Sequence, residues 1–454
     1  MSPPGTPKLS QSDCSTVQSF NRIPTETEWH RFRKYARGMQ ALKVDASRDL
    51  LTSEVLSVLQ LRTGNDLLLP RLGSFECGSA TEAFIPFIPL LLSGRTTCID
   101  ITFAESPPTV SVASTIARFP RLCPNIQRLT LCRLPTNPVV TEAVSEMVLA
   151  CNQDTLQVFY VDSPLTEEGR SVLYKLPKLR ILVAVLRGPT SLPPVALPNL
   201  KILRIDYDYR SEWLGLFRGT TFRKLESIIF VPTGSAQIGG FLEKFQSVAP
   251  SVQSTLSNFC FYTSQSWRPS YPAILAFRQL KTLRIDFSCH HGCSSQVDDG
   301  IIISLAQAMP LLENLRLGQA PCSNPTGVGL RGLVALAHHC PRLAGLCVHL
   351  HVGELAEATT RTNPPSSPEN TVDLPPMDCP LTELQVGSAP VPPQAAWTIA
   401  LTLVQIFPQI RDIEYINPEW MGVVESITFF KKIGGHIHHT SKIPLHLIPI
   451  YSRC

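Results

Sequence analysis

Strong charge of either sign is missing from this sequence. Across 454 residues, 40 lysines and arginines stand against 36 aspartates and glutamates, a net +4 with the histidines neutral. So mild a balance lacks the dense basic field of a nucleic-acid-binding domain, and neither a nucleic acid nor a membrane surface is expected as a partner. Long apolar runs are missing too. The longest, residues 83–92, is interrupted by Pro86 and Pro89, so nothing is expected to span a bilayer. The first residues are small and polar with no apolar core, so no secretory signal is expected, and no Asn-x-Ser/Thr acceptor occurs. There is no G-x-S-x-G nucleophile elbow and no P-loop. No spacing singles out an acid–base pair. The chain therefore reads as non-enzymatic, with no catalytic residue and no cofactor.

Apolar material is plentiful at 44%, with only 17% charged residues, enough for a substantial core. Fourteen cysteines are scattered along the chain, several inside a recurring phrase: Cys77, Cys132, Cys260 and Cys347. Free cysteine behaves as a small hydrophobe. This usage fits a reducing, intracellular compartment, cytoplasmic or nuclear, better than a secreted disulfide framework.

The recurring phrase is the main feature. Leu280, Leu283 and Ile285 are its first, fourth and sixth letters in one copy, and Leu200, Leu203 and Ile205 in another. The last letters alternate apolar and polar with period two, as in a half-buried strand. Fourteen copies can be aligned, from Met39/Leu42/Val44 to Ile410/Ile413/Tyr415. The mean period is about 28 residues, within the range of leucine-rich repeats. Proline stands two residues before the first apolar letter in many copies (Pro70, Pro124, Pro177, Pro198, Pro310, Pro341, Pro408), where it stops a preceding helix. Residues 112–119, 141–150, 300–308, 329–338 and 398–407 carry helical apolar spacing between copies. A doubly wound sheet has no reason to repeat one phrase at this interval.

The expected fold is thus α/β: a leucine-rich-repeat solenoid of about fourteen irregular repeats, a curved horseshoe with parallel strands on the concave face and helices on the convex one. Residues 1–24 read as a disordered tail. The solenoid, 25–426, opens with a short helix (25–39) capped by Thr25, whose Trp29, Phe32, Tyr35 and Met39 share one face. A flexible insertion is expected at 357–380, and a C-terminal helix and cap at 427–454.

The repeats are similar to those of ribonuclease-inhibitor-type proteins. Their phrasing at 308–317 and 340–348 resembles that of F-box/leucine-rich-repeat proteins, and residues 29–42 resemble the segment that follows the F-box in many fungal members. The resemblance implies a substrate-recognition component of a cullin-RING (SCF-type) ubiquitin ligase, acting in ubiquitin-dependent protein catabolism. Ile23-Pro24-Thr25-Glu26 imitates an F-box opening, but no complete F-box follows. The ligase adaptor is therefore expected as a partner only of a longer form carrying one. The alternative is a repeat scaffold with no ligase role.

Two local motifs have rival readings. Gly327, Gly329 and Gly332 match G-x-G-x-x-G before a helix, with Glu354 further on, as in a nucleotide-binding enzyme. Glycine at a tight corner before a repeat helix is the alternative. Cys289, His290, His291 and Cys293 offer zinc-ligand chemistry without a second pair at matching spacing, and otherwise read as a loop.

If the apolar letters fill the core, specificity rests on the letters between them, which alternation turns to the open face. The row after the central apolar residue contains Asp100, Tyr160, Val183, Arg204, Ile229, Arg284 and Arg316; two residues on lie Val185, Val231 and Asp286. Apolar residues flanked by charged ones suit a contact with a protein target.

Overall fold

The computed structural model describes residues 24–45, 53–63, 67–186, 197–207, 217, 222–232, 245–246, 252–263, 271–287, 297–318, 327–357, 379–386 and 389–437. All but residue 24 of the tail expected at 1–24, nearly all of the insertion expected at 357–380, the Cys289–Cys293 cluster and residues 438–454 lie outside them.

Every copy of the phrase is a strand. Among the described residues, fourteen strands form one open parallel sheet in strict chain order. They are β1 (Ala41–Asp45), β2 (Ser74–Ala80), β3 (Cys98–Phe103), β4 (Arg128–Cys132), β5 (Val158–Pro164), β6 (Ile181–Leu186), β7 (Ile202–Tyr207), β8 (Ser227–Pro232), β9 (Asn258–Thr263), β10 (Thr282–Phe287), β11 (Asn314–Leu317), β12 (Gly345–Val348), β13 (Glu383–Val386) and β14 (Asp412–Glu414). The chain divides into two compact units. One is Met1–Asp206 with Arg210–Lys224; the other is Leu225–Cys454 with Tyr207–Tyr209. No helix among the described residues is long and apolar enough to cross a membrane.

The prolines do more than stop helices. A residue before proline is pushed out of the helical region, and Met309 (φ −126°, ψ 65°), Cys340 (φ −115°, ψ 72°) and Phe407 (φ −126°, ψ 78°) all end their helices that way. The proline then occupies the second place of a four-residue turn, where its fixed φ is already correct. The turn is closed by the first apolar letter: the Leu312 N–H donates to Met309 O at 3.1 Å, Leu343 to Cys340 O at 3.1 Å and Ile410 to Phe407 O at 3.1 Å. The same bond recurs at Leu72, Leu179 and Leu200. Helix end, turn and strand start are thus encoded in four letters.

In the first unit Phe75, Phe103 and Phe159 of the strands are fully buried with Phe84 and Phe119 of the connections. The Thr109–Ala117 helix packs against the Pro138–Ala150 helix on the core side. The second unit is more aromatic: Phe230, Phe245, Phe259, Phe261 and Phe277 make ring contacts between 5.5 and 6.5 Å. Its Asp299–Ala308 helix packs on Leu330–His339, and Ala396–Ile406 on Met421–Ile437. Truncating a fully buried strand leucine such as Leu283 carries the usual core cost of about 2–5 kcal/mol.

The opening helix spans Glu26–Ala36, with a capping box between Thr25 and Glu28. Its buried stripe is Trp29 and Ala36, with Phe32 stacked on Trp29 at 5.1 Å. Tyr35 and Met39 are exposed, a correction to the expected face. Tyr35 lies about 100° off the stripe, and Met39 is past the helix end.

The nine described cysteines are all free. Burial pushes the thiols of Cys77, Cys123 and Cys340 up to about 12, so almost no thiolate forms at pH 8. These three are expected to resist iodoacetamide at pH 8 in the native chain and to react after unfolding, as read by peptide mass mapping. Rapid native labelling of any of them would contradict their burial.

Candidate functional site

Strand alternation builds one face. In β3 and β5 buried and half-buried residues alternate without a break, the buried set facing the helices. The other set is brought into line by the strand register. Lys43 pairs with Glu76, Glu76 with Asp100, Asp100 with Thr130, Thr130 with Tyr160, and Tyr160 with Val183. In the second unit Ile229 pairs with Cys260, Cys260 with Arg284, Arg284 with Arg316, Arg316 with Cys347, Cys347 with Gln385, and Gln385 with Glu414. These are the letters after the central apolar residue.

The first unit's row begins polar. Lys43 forms an ion pair with Glu76. Burial, and then the nearby Glu76 carboxylate, raise the Asp100 pKa above the ordinary carboxylate value. Further along, the Arg204 guanidinium lies 5.9 Å from the Tyr160 ring centroid and grips Asp206 through Nε (2.9 Å) and Nη2 (3.3 Å). Asp100 is not joined to this pair.

Val183 and Val185 are not available to a partner. They are 6% and 5% exposed, and Leu182 and Ala184 between and beside them are buried as well. A strand buried on consecutive residues is covered on both faces, and alternation no longer decides exposure there. Ile229 and Val231 are half-buried.

Asp162, in the same outward set, has a local role. It accepts the Leu134 N–H at 3.0 Å and the Arg133 N–H, holding Arg133 at φ 60°. That is a left-handed conformation uncommon outside glycine.

The richest arrangement is on β9–β14. Asp286 is buried yet sits in the outward set. The Arg284 Nε donates to its Oδ2 at 2.6 Å and the Arg316 Nε to its Oδ1 at 2.8 Å. The carboxylate is 4% exposed, the two arginine side chains 34% and 29%. Arg284 also lies 5.0 Å from the Tyr262 ring centroid. Residues two apart on a strand share a face, so Arg284 and Asp286 meet within β10, and the parallel register brings Arg316 alongside.

Beside this clamp lies an open groove of about 480 Å³. Its lining includes Arg284, Arg316, Cys347, Gln385 and Glu414, but also Asn314 and Glu383 from the row before the central apolar residue. The candidate contact residues read from the sequence leave that row out, although the same alternation places it on the same face. Gly345 belongs to it: a Cβ there would stand 2.6 Å from Asn314 Oδ1. The Asn314 side chain thus occupies the space that Gly345 leaves.

No family model matches the chain, and neither does any curated protein.

The glycine motif has a packing explanation. A Cβ on Gly327 would meet His349 O at 2.8 Å and His351 N at 2.9 Å, because the Val328 backbone pairs with Leu350. A Cβ on Gly332 would meet Asp299 Oδ1 at 2.6 Å and Val328 Cγ1 at 2.7 Å. The Gly329 N–H, which a dinucleotide phosphate would need, donates to Asp299 Oδ1 at 2.7 Å. A carboxylate of the chain itself fills the anion position. Gly327→Ala should therefore destabilise the chain by about 1–3 kcal/mol through backbone overpacking, measurable by thermal unfolding. An unchanged Tm would show that the corner can open.

His349 lies just past β12, half-buried, and its Nε2 has no hydrogen-bond partner among the described residues; burial lowers its pKa below the ordinary imidazole value.

Proposed function

We propose that this chain is a non-catalytic protein-interaction module built as a leucine-rich-repeat solenoid, and that it binds a protein target on the open face of its sheet. The observation that carries this reading is the registered outward row of the second unit. It brings charged, polar and thiol side chains from five consecutive strands to one groove. A protein that buried this face would have no use for a carboxylate clamped by two half-exposed arginines there. The repeat phrasing at 308–317 and 340–348 supports the more specific role of substrate recognition in a cullin-RING ubiquitin ligase. The scaffold reading, without a ligase link, keeps the same face and drops the adaptor.

Photo-crosslinking residues at Thr282, Asn314 and Gln385, all on this face, should trap a protein partner from cells, identified by mass spectrometry. Crosslinks confined to the helical side would contradict the reading. Binding of the ligase adaptor to this chain or to a longer form carrying an F-box separates the two roles. Adaptor binding by neither would leave the scaffold.

A further inference from the structure

We propose that the groove over β10–β14 takes an extended peptide segment bearing a carboxylate and, about four residues away, a lysine or arginine. This rests on the reading of the open face as a protein-contact face and names the partner's chemistry.

One end of the groove has positive charge to spare. Arg284 and Arg316 bring two cations to the single carboxylate of Asp286. Both engage it through Nε, and among the described residues no acceptor takes their terminal nitrogens. A guanidinium presents its remaining N–H groups as a fork for an oxyanion. The surplus is one charge, which a carboxylate neutralises; a phosphate, at about −1.5 to −2, would overshoot it.

The other end is acidic. Glu383, Asp412 and Glu414 line it, exposed and without an ion-pair partner among the described residues. Glu383 stands beside Asp412 in the register, and like charges side by side are unfavourable. Gln385 donates to Glu414 Oε2 at 2.6 Å and so orients that carboxylate.

Between the ends Gly345 adds no side chain of its own and the Asn314 side chain lies beside it. Three strand spacings of about 4.8 Å separate the clamp from the acidic end, roughly 14 Å, and an extended chain covers that in about four residues at 3.3 Å each.

The test uses the full chain and dye-labelled Ser/Thr peptides with one Glu and one Lys, separated by zero to six residues in both orders, read by fluorescence anisotropy to millimolar peptide. Affinity should peak at three intervening residues in at least one order, about tenfold or more above the peptide with Ala for Lys. The double charge reversal Glu383→Lys/Glu414→Lys changes only exposed side chains, and circular dichroism reports its folding. It should weaken the Glu/Lys peptide about tenfold and strengthen a Glu/Glu peptide of the same spacing. Affinity independent of spacing, or unmoved by the reversal, would overturn the proposal. Tenfold tighter binding of a phosphoserine peptide would overturn the carboxylate. Failure of every peptide while open-face crosslinks still trap a protein sinks the groove proposal alone; absence of those crosslinks as well sinks the interaction reading.

Discussion

Asp286→Ala should cost the second unit about 3 kcal/mol. The carboxylate is buried and is the shared counter-ion of Arg284 and Arg316. Removing it leaves two guanidiniums side by side on neighbouring strands in a partly desolvated setting. Breaking a fully buried pair costs about 3–5 kcal/mol; here the arginines are about a third exposed, which places the effect at the low end. Arg284→Gln or Arg316→Gln alone should cost only about 1 kcal/mol, since the other arginine still neutralises Asp286. The double arginine variant should exceed the sum of the singles, because it strands a buried carboxylate. Urea unfolding followed by circular dichroism measures all four. If Asp286→Ala were no worse than Arg316→Gln, the carboxylate would not be the hub.

The second large effect separates a valine and an isoleucine that look alike in the sequence. Val183→Asp should cost about 4 kcal/mol or more, because it places an unpaired carboxylate where both faces of β6 are covered. Against a total stability of about 5–15 kcal/mol, that is enough to lower the soluble yield and the Tm sharply. Ile229→Asp, at a half-buried position, should cost about 1 kcal/mol and leave the chain folded. Equal tolerance at both positions would mean that β6 is open to solvent.

Those two positions mark the limit of what was legible. Strand number, strand order and the outward row depended on local letters: the spaced apolar residues, the period of two and the proline that makes the turn. Val183 failed because the cover on its strand is set by what packs across it, not by its own phase. A trace was present, since Ile181–Leu186 is apolar at every letter, as in strands buried on both faces. Asp286 was legible as an outward residue but not as a buried hub. Its second arginine comes from the next repeat, thirty residues on, and pairings between repeats are not written in either one. The groove row through Asn314 and Glu383 was within reach of the same alternation. The role of Gly329 was not, because Asp299 reaches it from the preceding helix.

The strict chain order of the strands has a kinetic consequence. Parallel pairing usually means distant residues must meet before any contact rewards them, and such sheets form slowly. Here each described pairing, from Leu42 with Phe75 to Leu384 with Ile413, joins strands adjacent in the chain. The loops closed are about 20–40 residues, and the entropic cost of closure grows only slowly over that range. Within each unit a rung can form against whichever neighbour is already in place, so assembly can begin in more than one location and spread outward. A lesion such as one at Asp286 would then stall growth at its own rung while the strands behind it still form.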